Sequence, residues 1–301
     1  MTAADAALAA GRNQIPRGIL YMVGSTVMFA GGNAVVKWQL ATYPLGEVAF
    51  GRTLFAFLTV AAIVLPRAGW GVLRTRRWRE HGQRGLSQFG SMLCWFLAVR
   101  VLSLGSATAI GFAAPLFTTL LSIAILKEQV GVHRWTALVL GFVGVLVITR
   151  PGAGTLSAGA LFALLNAVLI STVAIAIRRM SITESAATLV LYQMGIMTSC
   201  TALLLTLGFR APHWGDALMV AAAGVGNGVA QFWWTRSLSF APPSAVVPFN
   251  YLSLVWASLL GFAVWGDVPT ASLFFGSAIV VASGIYILWR ERVHRRRRAA
   301  A

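Results

Sequence analysis

Long apolar blocks separated by short polar joints constrain this chain more than any other feature of its sequence. The blocks run for about 18 residues or more, which is the length that a helix needs to cross the ~30 Å hydrocarbon core of a bilayer. Only 11% of the 301 residues are charged and 58% are hydrophobic, whereas soluble domains carry about 25% charged residues. The sequence therefore predicts an all-α integral membrane protein and not a set of soluble domains.

Ten membrane spans are predicted from these blocks. They cover residues 18–37, 46–66, 86–103, 107–126, 132–149, 158–177, 187–207, 217–234, 245–265 and 271–289. Most prolines fall at or near the joints, where the missing backbone N–H costs least. Pro115 and Pro248 are exceptions because each lies inside a span. The fourth and ninth spans are therefore expected to be kinked or locally unwound.

The basic residues divide unequally between the two sides of these spans. Nineteen of the 24 Lys and Arg residues lie on the side that carries both chain ends. Since Lys and Arg beside membrane spans stay in the cytoplasm, both termini are predicted to be cytoplasmic, in a bacterial inner membrane. The basic C-terminal tail is expected to contact anionic lipid headgroups. Nucleic acid is not an expected partner, because no stacking platform accompanies the charge.

The second half of the sequence repeats the pattern of the first. Lys37 and Arg52 match Arg178 and Gln193 at the same separation, and a single acid closes the ninth span as it closes the fourth. Two repeats of five spans are therefore predicted. The predicted divisions are an N-terminal tail, two repeats and a basic tail, at residues 1–17, 18–150, 151–290 and 291–301. Because five is odd, the second repeat would be inverted in the membrane, which is an architecture of alternating-access transporters.

Three segments carry a resemblance to a known family. They are the run from Glu47 to Arg52, residues 107–128 with Pro115 in their middle, and the glycine-patterned fifth and tenth spans. They resemble EamA-type modules of the drug/metabolite transporter superfamily, over nearly the whole chain. The resemblance implies ten helices in an inverted repeat around a central cavity, lined mainly by spans 1, 3, 4, 6, 8 and 9.

The same resemblance implies a class of cargo. Members of the superfamily move amino acids, S-adenosylmethionine, riboflavin and other metabolites. The ninth span, with Pro248 and Tyr251, is most similar to the branch that takes up S-adenosylmethionine, and amino-acid exporters are a further similar branch. That uptake branch tends to carry charged residues at the positions of Asn250 and Ser253, which are uncharged here.

Polar and aromatic residues inside the spans are the candidates for binding the cargo, because such groups usually face the bundle interior or an aqueous cavity. Asn227, Gln231 and Trp234 fall at i, i+4 and i+7 and so share one face of the eighth span. An indole beside amides suits a ligand with an aromatic or cationic part. The complete predicted substrate-binding set is Asn33, Trp95, Asn227, Gln231, Trp234, Asn250 and Tyr251. Alternatives remain for Asn33, as a link between helices, and for one of Trp233 and Trp234, as an interfacial residue.

A second group is expected to act in gating or in structure. Its members are Lys37, Glu47, Arg52, Pro115, Tyr192, Gln193 and Pro248. Lys37 follows Asn33 by one helical turn, and either guards the outer mouth or extends to the interface. Arg52 needs a partner, and Glu47 is the only acid near it in sequence. A structural pair with Glu47 or an interfacial anchor is therefore expected for Arg52, beside a role in binding a carboxylate.

No catalytic residue, metal site or cofactor is predicted. The function that fits these features is a secondary transporter of a small amphipathic metabolite, working by alternating access as a monomer or homodimer. A passive channel and, with less support, an intramembrane enzyme are the alternatives. No acid was found in the middle of a span, which favours facilitated diffusion or exchange over a proton-coupled pump. The sequence leaves the identity of the cargo and the direction of transport open.

Overall fold

Helices and short turns make up the regular structure of the described residues. The computed structural model describes residues 3–126, 132–149, 157–180, 183–240 and 246–300. The α-helices are α1 Ala3–Gln39, α2 Leu45–Ala68, α3 Trp78–Val101, α4 Leu104–Gly111, α5 Ala114–Leu126, α6 Val132–Thr149, α7 Ala158–Met180, α8 Ala186–Leu204, α9 Trp214–Phe240, α10 Leu252–Trp265 and α11 Ala271–Ala300. The short 3₁₀ turns are Trp70–Leu73, Leu205–Leu207 and Val247–Tyr251.

Several helices are long and apolar enough to cross a membrane. Over the described ranges, five segments meet both requirements, namely Pro16–Gln39, Leu45–Ala68, Leu104–Ile125, Ala158–Ile177 and Ala186–Leu207. Shorter apolar helical stretches occupy Val139–Ile148, Phe249–Trp265 and Ala271–Ser283. The expectation of an all-helical, multi-pass membrane protein is therefore confirmed.

The distribution of apolar and polar side chains is that of a protein embedded in a lipid bilayer. Large apolar side chains such as Leu58, Phe142 and Phe262 are half exposed on the outside of the bundle. Polar groups lie inside, as in the hydrogen bond of 2.8 Å between the buried hydroxyls of Thr53 on α2 and Thr201 on α8. Because lipid offers no partner for a hydroxyl or amide, such groups are satisfied within the bundle.

Two of the predicted spans are interrupted where an internal proline was noted. The fourth span divides into α4 and α5 at residues 112–113, and Pro115 is the second residue of α5. The ninth span begins as the 3₁₀ turn Val247–Tyr251, which has Pro248 at its start, and continues as α10. Proline removes one helical hydrogen bond and clashes with the preceding turn, which accounts for both interruptions.

The third helix begins earlier than the sequence suggested. The segment from Arg67 to Gly85 was expected to be an arginine-rich joint, but α3 already begins at Trp78. His81 and Arg84 are buried within this first part of α3. Arg84 donates a hydrogen bond of 2.8 Å to the carbonyl oxygen of Leu189. Packing of these polar side chains against α8 therefore extends the helix beyond its apolar stretch.

Helix pairs from the two halves of the chain form the bundle. The extensively packed pairs are α1 with α9, α3 with α7, α2 with α8, α2 with α9, α3 with α8 and α6 with α11. Glycines permit the closest of these approaches. A Cβ atom on Gly144 of α6 would lie 2.9 Å from the carbonyl oxygen of Gly276 on α11, and one on Gly276 would lie 2.7 Å from the carbonyl oxygen of Gly144.

The connections at one end of the bundle are tied together by polar contacts. We call the distal end the one that holds residues 40–44, 102–103, 208–213 and 266–270, opposite the chain termini. Lys37 donates a hydrogen bond of 3.0 Å to the carbonyl oxygen of Leu102 there and lies 3.4 Å from a carboxylate oxygen of Asp267. These contacts join α1 to the segments after α3 and α10.

Candidate functional site

A cavity of about 990 Å³ occupies the interior of the bundle. Its size matches that of pockets for small organic ligands, which span about 300–1,000 Å³. All seven residues predicted to bind substrate line it, as do Arg52, Pro115 and Gln193 of the second group. The other polar residues of its wall are Thr53, Gln88, Ser91, Thr108, Thr118, Thr119, Asn166 and Ser253. The seven residues therefore border the same cavity, and their contact with a substrate stays a prediction.

Arg52 is the charged residue of the cavity wall within the described part of the chain. Its terminal nitrogen Nη2 donates hydrogen bonds to the side-chain oxygens of Asn33, at 3.2 Å, and Asn227, at 2.9 Å. The guanidinium also lies over the ring of Phe96, with its central carbon 5.6 Å from the ring centroid. Arg52 thus joins α2 to α1 and α9 through neutral partners.

The prediction that Arg52 pairs with Glu47 is wrong. Glu47 accepts a hydrogen bond of 3.0 Å from the backbone N–H of Arg210 at the distal end. Residues five positions apart point about 140° away from each other on a helix with 3.6 residues per turn. Nearness in sequence therefore did not bring the acid and the arginine together.

The polar face of α9 is directed as the spacing of its residues predicts. Asn227, Gln231 and Trp234 all face the cavity. Trp233 points elsewhere, since its ring lies edge-on to Tyr21 at 6.2 Å and touches the position of Gly24 on α1. Trp233 is accordingly the tryptophan of this pair that packs outside the cavity, and Trp234 is the one that lines it.

The opposite wall comes from α3 and α7. The Ser91 hydroxyl donates a hydrogen bond of 2.6 Å to the side-chain oxygen of Asn166. Trp95, one turn further along α3, has a buried indole nitrogen with no hydrogen-bond partner among the described residues. Asn166 is not among the residues predicted from the sequence. It is the one amide in the apolar span 158–177, so the selection of polar residues inside spans would have included it.

The two interrupted helices meet at the cavity. The ring of Phe112, in the break between α4 and α5, packs against the ring of Tyr251 with centroids 4.9 Å apart. Asn250 and Tyr251 end the 3₁₀ turn that begins near Pro248, and both line the cavity. Pro115 lines it from the first turn of α5. Irregular backbone at membrane depth is tolerated where it borders a cavity, which is the case for both breaks.

Helices α2 and α8 contribute more than the family resemblance implied. The expected lining came mainly from spans 1, 3, 4, 6, 8 and 9, yet Arg52 on α2 and Gln193 on α8 also belong to the wall. Gln193 accepts a short hydrogen bond from the guanidinium of Arg84. The neighbouring Tyr192 is not in the wall, and its hydroxyl donates to the carbonyl oxygen of Leu73 at 2.8 Å.

Lys37 lies outside the cavity, where it takes part in the contacts of the distal end. In addition to its contact with Asp267, the ammonium group of Lys37 lies 4.9 Å from the ring centroid of Trp265. A second polar contact at this end joins Tyr43 to Asp216 through a hydrogen bond of 2.6 Å. This hydrogen bond raises the pKa of Tyr43 above its ordinary value. Glu128, which was matched to Asp267 in the repeat pattern, lies outside the described residues.

Metal binding has no support in the described part of the chain, where no group of three or more His, Cys, Asp and Glu side chains converges. Both cysteines, Cys94 and Cys200, are free thiols within helices. The chemistry available at the cavity is therefore hydrogen bonding by amides and hydroxyls, stacking on indoles, and one guanidinium charge.

Comparison with known proteins connects this architecture to transport. The profile of the EamA-like transporter family matches residues 16–150 and again residues 157–289. An S-adenosylmethionine uptake transporter of Rickettsia prowazekii is 25% identical over 276 residues, which are 91% of this chain and 93% of the relative. A riboflavin transporter of Rhizobium johnstonii is 28% identical over 287 residues, 94% of each chain.

Two further similarities add to this. A pseudopaline exporter of Pseudomonas aeruginosa is 27% identical over 279 residues, 89% of this chain and 94% of the relative. A crystal structure with 20% sequence identity superimposes with a TM-score of 0.64, covering 92% of this chain and 99% of the other, which is a likeness of fold alone. The relatives include both uptake and export proteins, and their names refer to three different cargoes.

Proposed function

The chain belongs to the EamA-like transporter family of the drug/metabolite transporter superfamily, and from this premise we propose that it carries a small amphipathic metabolite through the central cavity by alternating access. As a member of this family it is a transporter and not an enzyme. The observation that carries the proposal is that polar and aromatic residues of α1, α2, α3, α7, α8, α9 and both interrupted spans converge on one cavity of about 990 Å³.

The proposal includes an inverted repeat of two five-span halves, residues 18–150 and 151–290. The packing of the helices supports it, because the pairs are unchanged when the halves are exchanged. In this exchange α1 corresponds to α7, α2 to α8, α3 to α9 and α6 to α11. The pair of α1 and α9 then becomes the pair of α7 and α3, and the pair of α2 and α9 becomes the pair of α8 and α3. The pairs α2 with α8 and α6 with α11 map onto themselves. Such symmetry allows one central site to face each side of the membrane in turn.

We further propose that both termini are cytoplasmic and that the membrane is the bacterial inner membrane. The unequal division of Lys and Arg supports this orientation. In it, the distal end faces away from the cytoplasm. The pair of Lys37 and Asp267, together with the bond of Lys37 to Leu102, then belongs to the outer gate. Opening of this gate requires these contacts to break, which makes Lys37 a gating residue and not a lipid anchor.

The cargo class proposed here follows from the relatives and from the wall of the cavity. Amide side chains of Asn33, Asn227 and Gln231 offer both donors and acceptors, and the indoles of Trp95 and Trp234 offer apolar faces. S-adenosylmethionine, riboflavin and amino acids all combine a flat or apolar part with several hydrogen-bonding groups. The seven predicted residues are proposed to contact such a cargo.

Transport into proteoliposomes tests the proposal. The purified protein is expected to give saturable uptake of at least one of radiolabelled S-adenosylmethionine, riboflavin or tryptophan. Alanine at Asn227, Gln231 or Trp234 should lower the initial rate by about tenfold or more, because each removes a group from the wall. Trp233→Ala is the matched control, since it removes a neighbouring indole that lies outside the cavity. Wild-type rates in alanine variants of all seven residues would contradict the proposed site.

A passive channel is the competing function, and two measurements separate it from a carrier. A carrier shows saturation and counterflow of labelled cargo, while a channel gives unitary currents in a planar bilayer. We also propose facilitated diffusion or exchange, because the described cavity wall carries no acid or histidine. Strong stimulation of uptake by an imposed pH gradient would refute that mode of coupling.

A further inference from the structure

Arg52 is a buried cation without an anionic partner in the described part of the chain. Its exposed fraction is 8%, yet both of its hydrogen bonds go to amide oxygens and both come from the same nitrogen, Nη2. The nitrogen Nε is buried and has no hydrogen-bond partner among the residues that the structure describes. A guanidinium has five N–H donors in a planar fork that matches a carboxylate. From this we infer that Arg52 binds a carboxylate of the cargo, an inference that rests on the proposed function of the cavity.

The acids whose side chains are described are engaged elsewhere. Five of the eight Asp and Glu residues have described side chains, and each of these has a partner outside the cavity. These pairs are Glu47 with the Arg210 N–H, Glu80 with Arg77, Glu184 with Thr75, Asp216 with Tyr43, and Asp267 with Lys37. Asp5, Glu128 and Glu291 complete the eight, outside the described side chains.

The energetics favour an anion at this position. A buried charge without a counter-charge is unfavourable in apolar surroundings. Amide oxygens and the ring of Phe96 offset part of this cost, but they carry no formal charge. A carboxylate in the cavity would supply the counter-charge and accept from the donors that remain. Phosphate is a poorer match, because a dianion usually draws on more than one cation and the described wall offers only Arg52.

The charge of Arg52 has no counterpart at the matching position of the other half. Gln193 stands at the position that matches Arg52 in the second half, and it also lines the cavity. Its hydrogen bond to Arg84 joins α8 to α3 by the same kind of guanidinium–amide contact that joins α2 to α9. Arg84, however, is not in the cavity wall. One guanidinium therefore faces the cargo while its counterpart is buried between helices.

The rest of the wall completes the description of the cargo. Trp95, Trp234 and Tyr251 offer aromatic faces in a cavity whose described wall has no acid. An indole face attracts cationic groups and stacks on flat ones. The cargo class is therefore an organic carboxylate that also carries an aromatic or cationic part. A cation without a carboxylate would meet Arg52 as a like charge and is expected to be excluded.

Two matched pairs of probes test this inference on the purified full-length protein. L-tryptophan is compared with L-tryptophanamide, and S-adenosylmethionine with its decarboxylated analogue, by ligand-induced thermal shift and by competition for uptake. The carboxylate of at least one pair should bind about 10- to 100-fold more tightly than its analogue, since a charge-assisted hydrogen bond is lost with the carboxylate. Equal binding within both pairs, or no binding of either carboxylate, would overturn the inference.

Substitutions test whether Arg52 is the source of the preference for a carboxylate. Arg52→Gln should abolish it and Arg52→Lys should retain part of it. Arg84→Gln is the matched control, since it removes a buried guanidinium bonded to an amide but leaves the charge of the cavity intact. Asn227→Asp gives a second test that does not remove Arg52, because it places a carboxylate where an amide oxygen already lies 2.9 Å from Nη2. This variant should fold and should lose the preference.

Failure of the inference is distinguishable from failure of the proposed function. If Arg52→Gln or Asn227→Asp keeps the wild-type preference, the role of Arg52 is refuted. Saturable uptake of a neutral cargo such as riboflavin, with no effect of Arg52→Gln, would likewise overturn the inference while the carrier function stands. Unitary currents without saturable uptake would instead refute the carrier itself.

Discussion

The crossing of α6 and α11 gives a quantitative test of the packing in this bundle. Alanine at Gly144 would place its Cβ 2.9 Å from the carbonyl oxygen of Gly276 and 3.0 Å from the backbone nitrogen of Val280. These atoms belong to the backbone, so no side chain can rotate to make room and the two helices must separate. Such overpacking costs about 1–3 kcal/mol. Alanine also gains up to about 1 kcal/mol of helix propensity over glycine, which partly offsets this cost.

A control substitution isolates the overpacking. Gly82 lies inside α3, and a Cβ built there meets nothing within 4 Å. Gly82→Ala therefore gains the same helix propensity without a clash, and the difference between the two variants is the overpacking cost alone. Gly144→Ala should melt a few degrees below Gly82→Ala in a thermal unfolding experiment in detergent. Equal melting temperatures would show that the helices are not in backbone contact at this crossing, and the reasoning would be refuted.

Two further predictions concern the distal end. A double-mutant cycle of Lys37→Gln and Asp267→Asn should give a coupling energy of about 1 kcal/mol or less in thermal unfolding, since the pair is only partly buried; strictly additive effects would argue against the ion pair. Tyr43→Phe should flatten the loss of stability on acidification below about pH 5. The hydrogen bond from Tyr43 holds the pKa of Asp216, in the first turn of α9, below its ordinary value. The contribution of this bond to stability is therefore present above the unfolded-state pKa of Asp216 and disappears as the pH falls through the lower folded-state pKa. An unchanged acid limb in this variant would contradict that role.

The membrane fold was accessible from the sequence because lipid imposes simple rules. Spans must be long and apolar, and prolines inside them mark interruptions. Pro115 and Pro248 predicted the two breaks for this reason. The start of α3 at Trp78 was not predicted, because its first turns are polar and buried only against another helix. Hydropathy describes the contact of a helix with lipid and contains no information about such contacts within the bundle.

The site was predictable wherever one helix determined the direction of its side chains. Asn227, Gln231 and Trp234 share a face by their spacing alone, and the structure turns that face toward the cavity. The partner of Arg52 was not predictable, because its amide acceptors come from α1 and α9, 19 and 175 residues away in sequence. Choosing the nearest acid in sequence failed, since packing between distant helices decides which groups meet.

The symmetry of the bundle and the asymmetry of its site have separate physical origins. The same helix pairs are found when the two halves are exchanged, because the helices of both halves bury their polar faces away from lipid. Cargo is not symmetric, so a wall that binds it must differ between the halves. Arg52 and Gln193 stand at matching positions and differ in charge. Arg52→Gln should therefore alter cargo preference more than it alters the fold, whereas Gln193→Arg would place a second guanidinium against the buried Arg84 and destabilise the contact between α3 and α8.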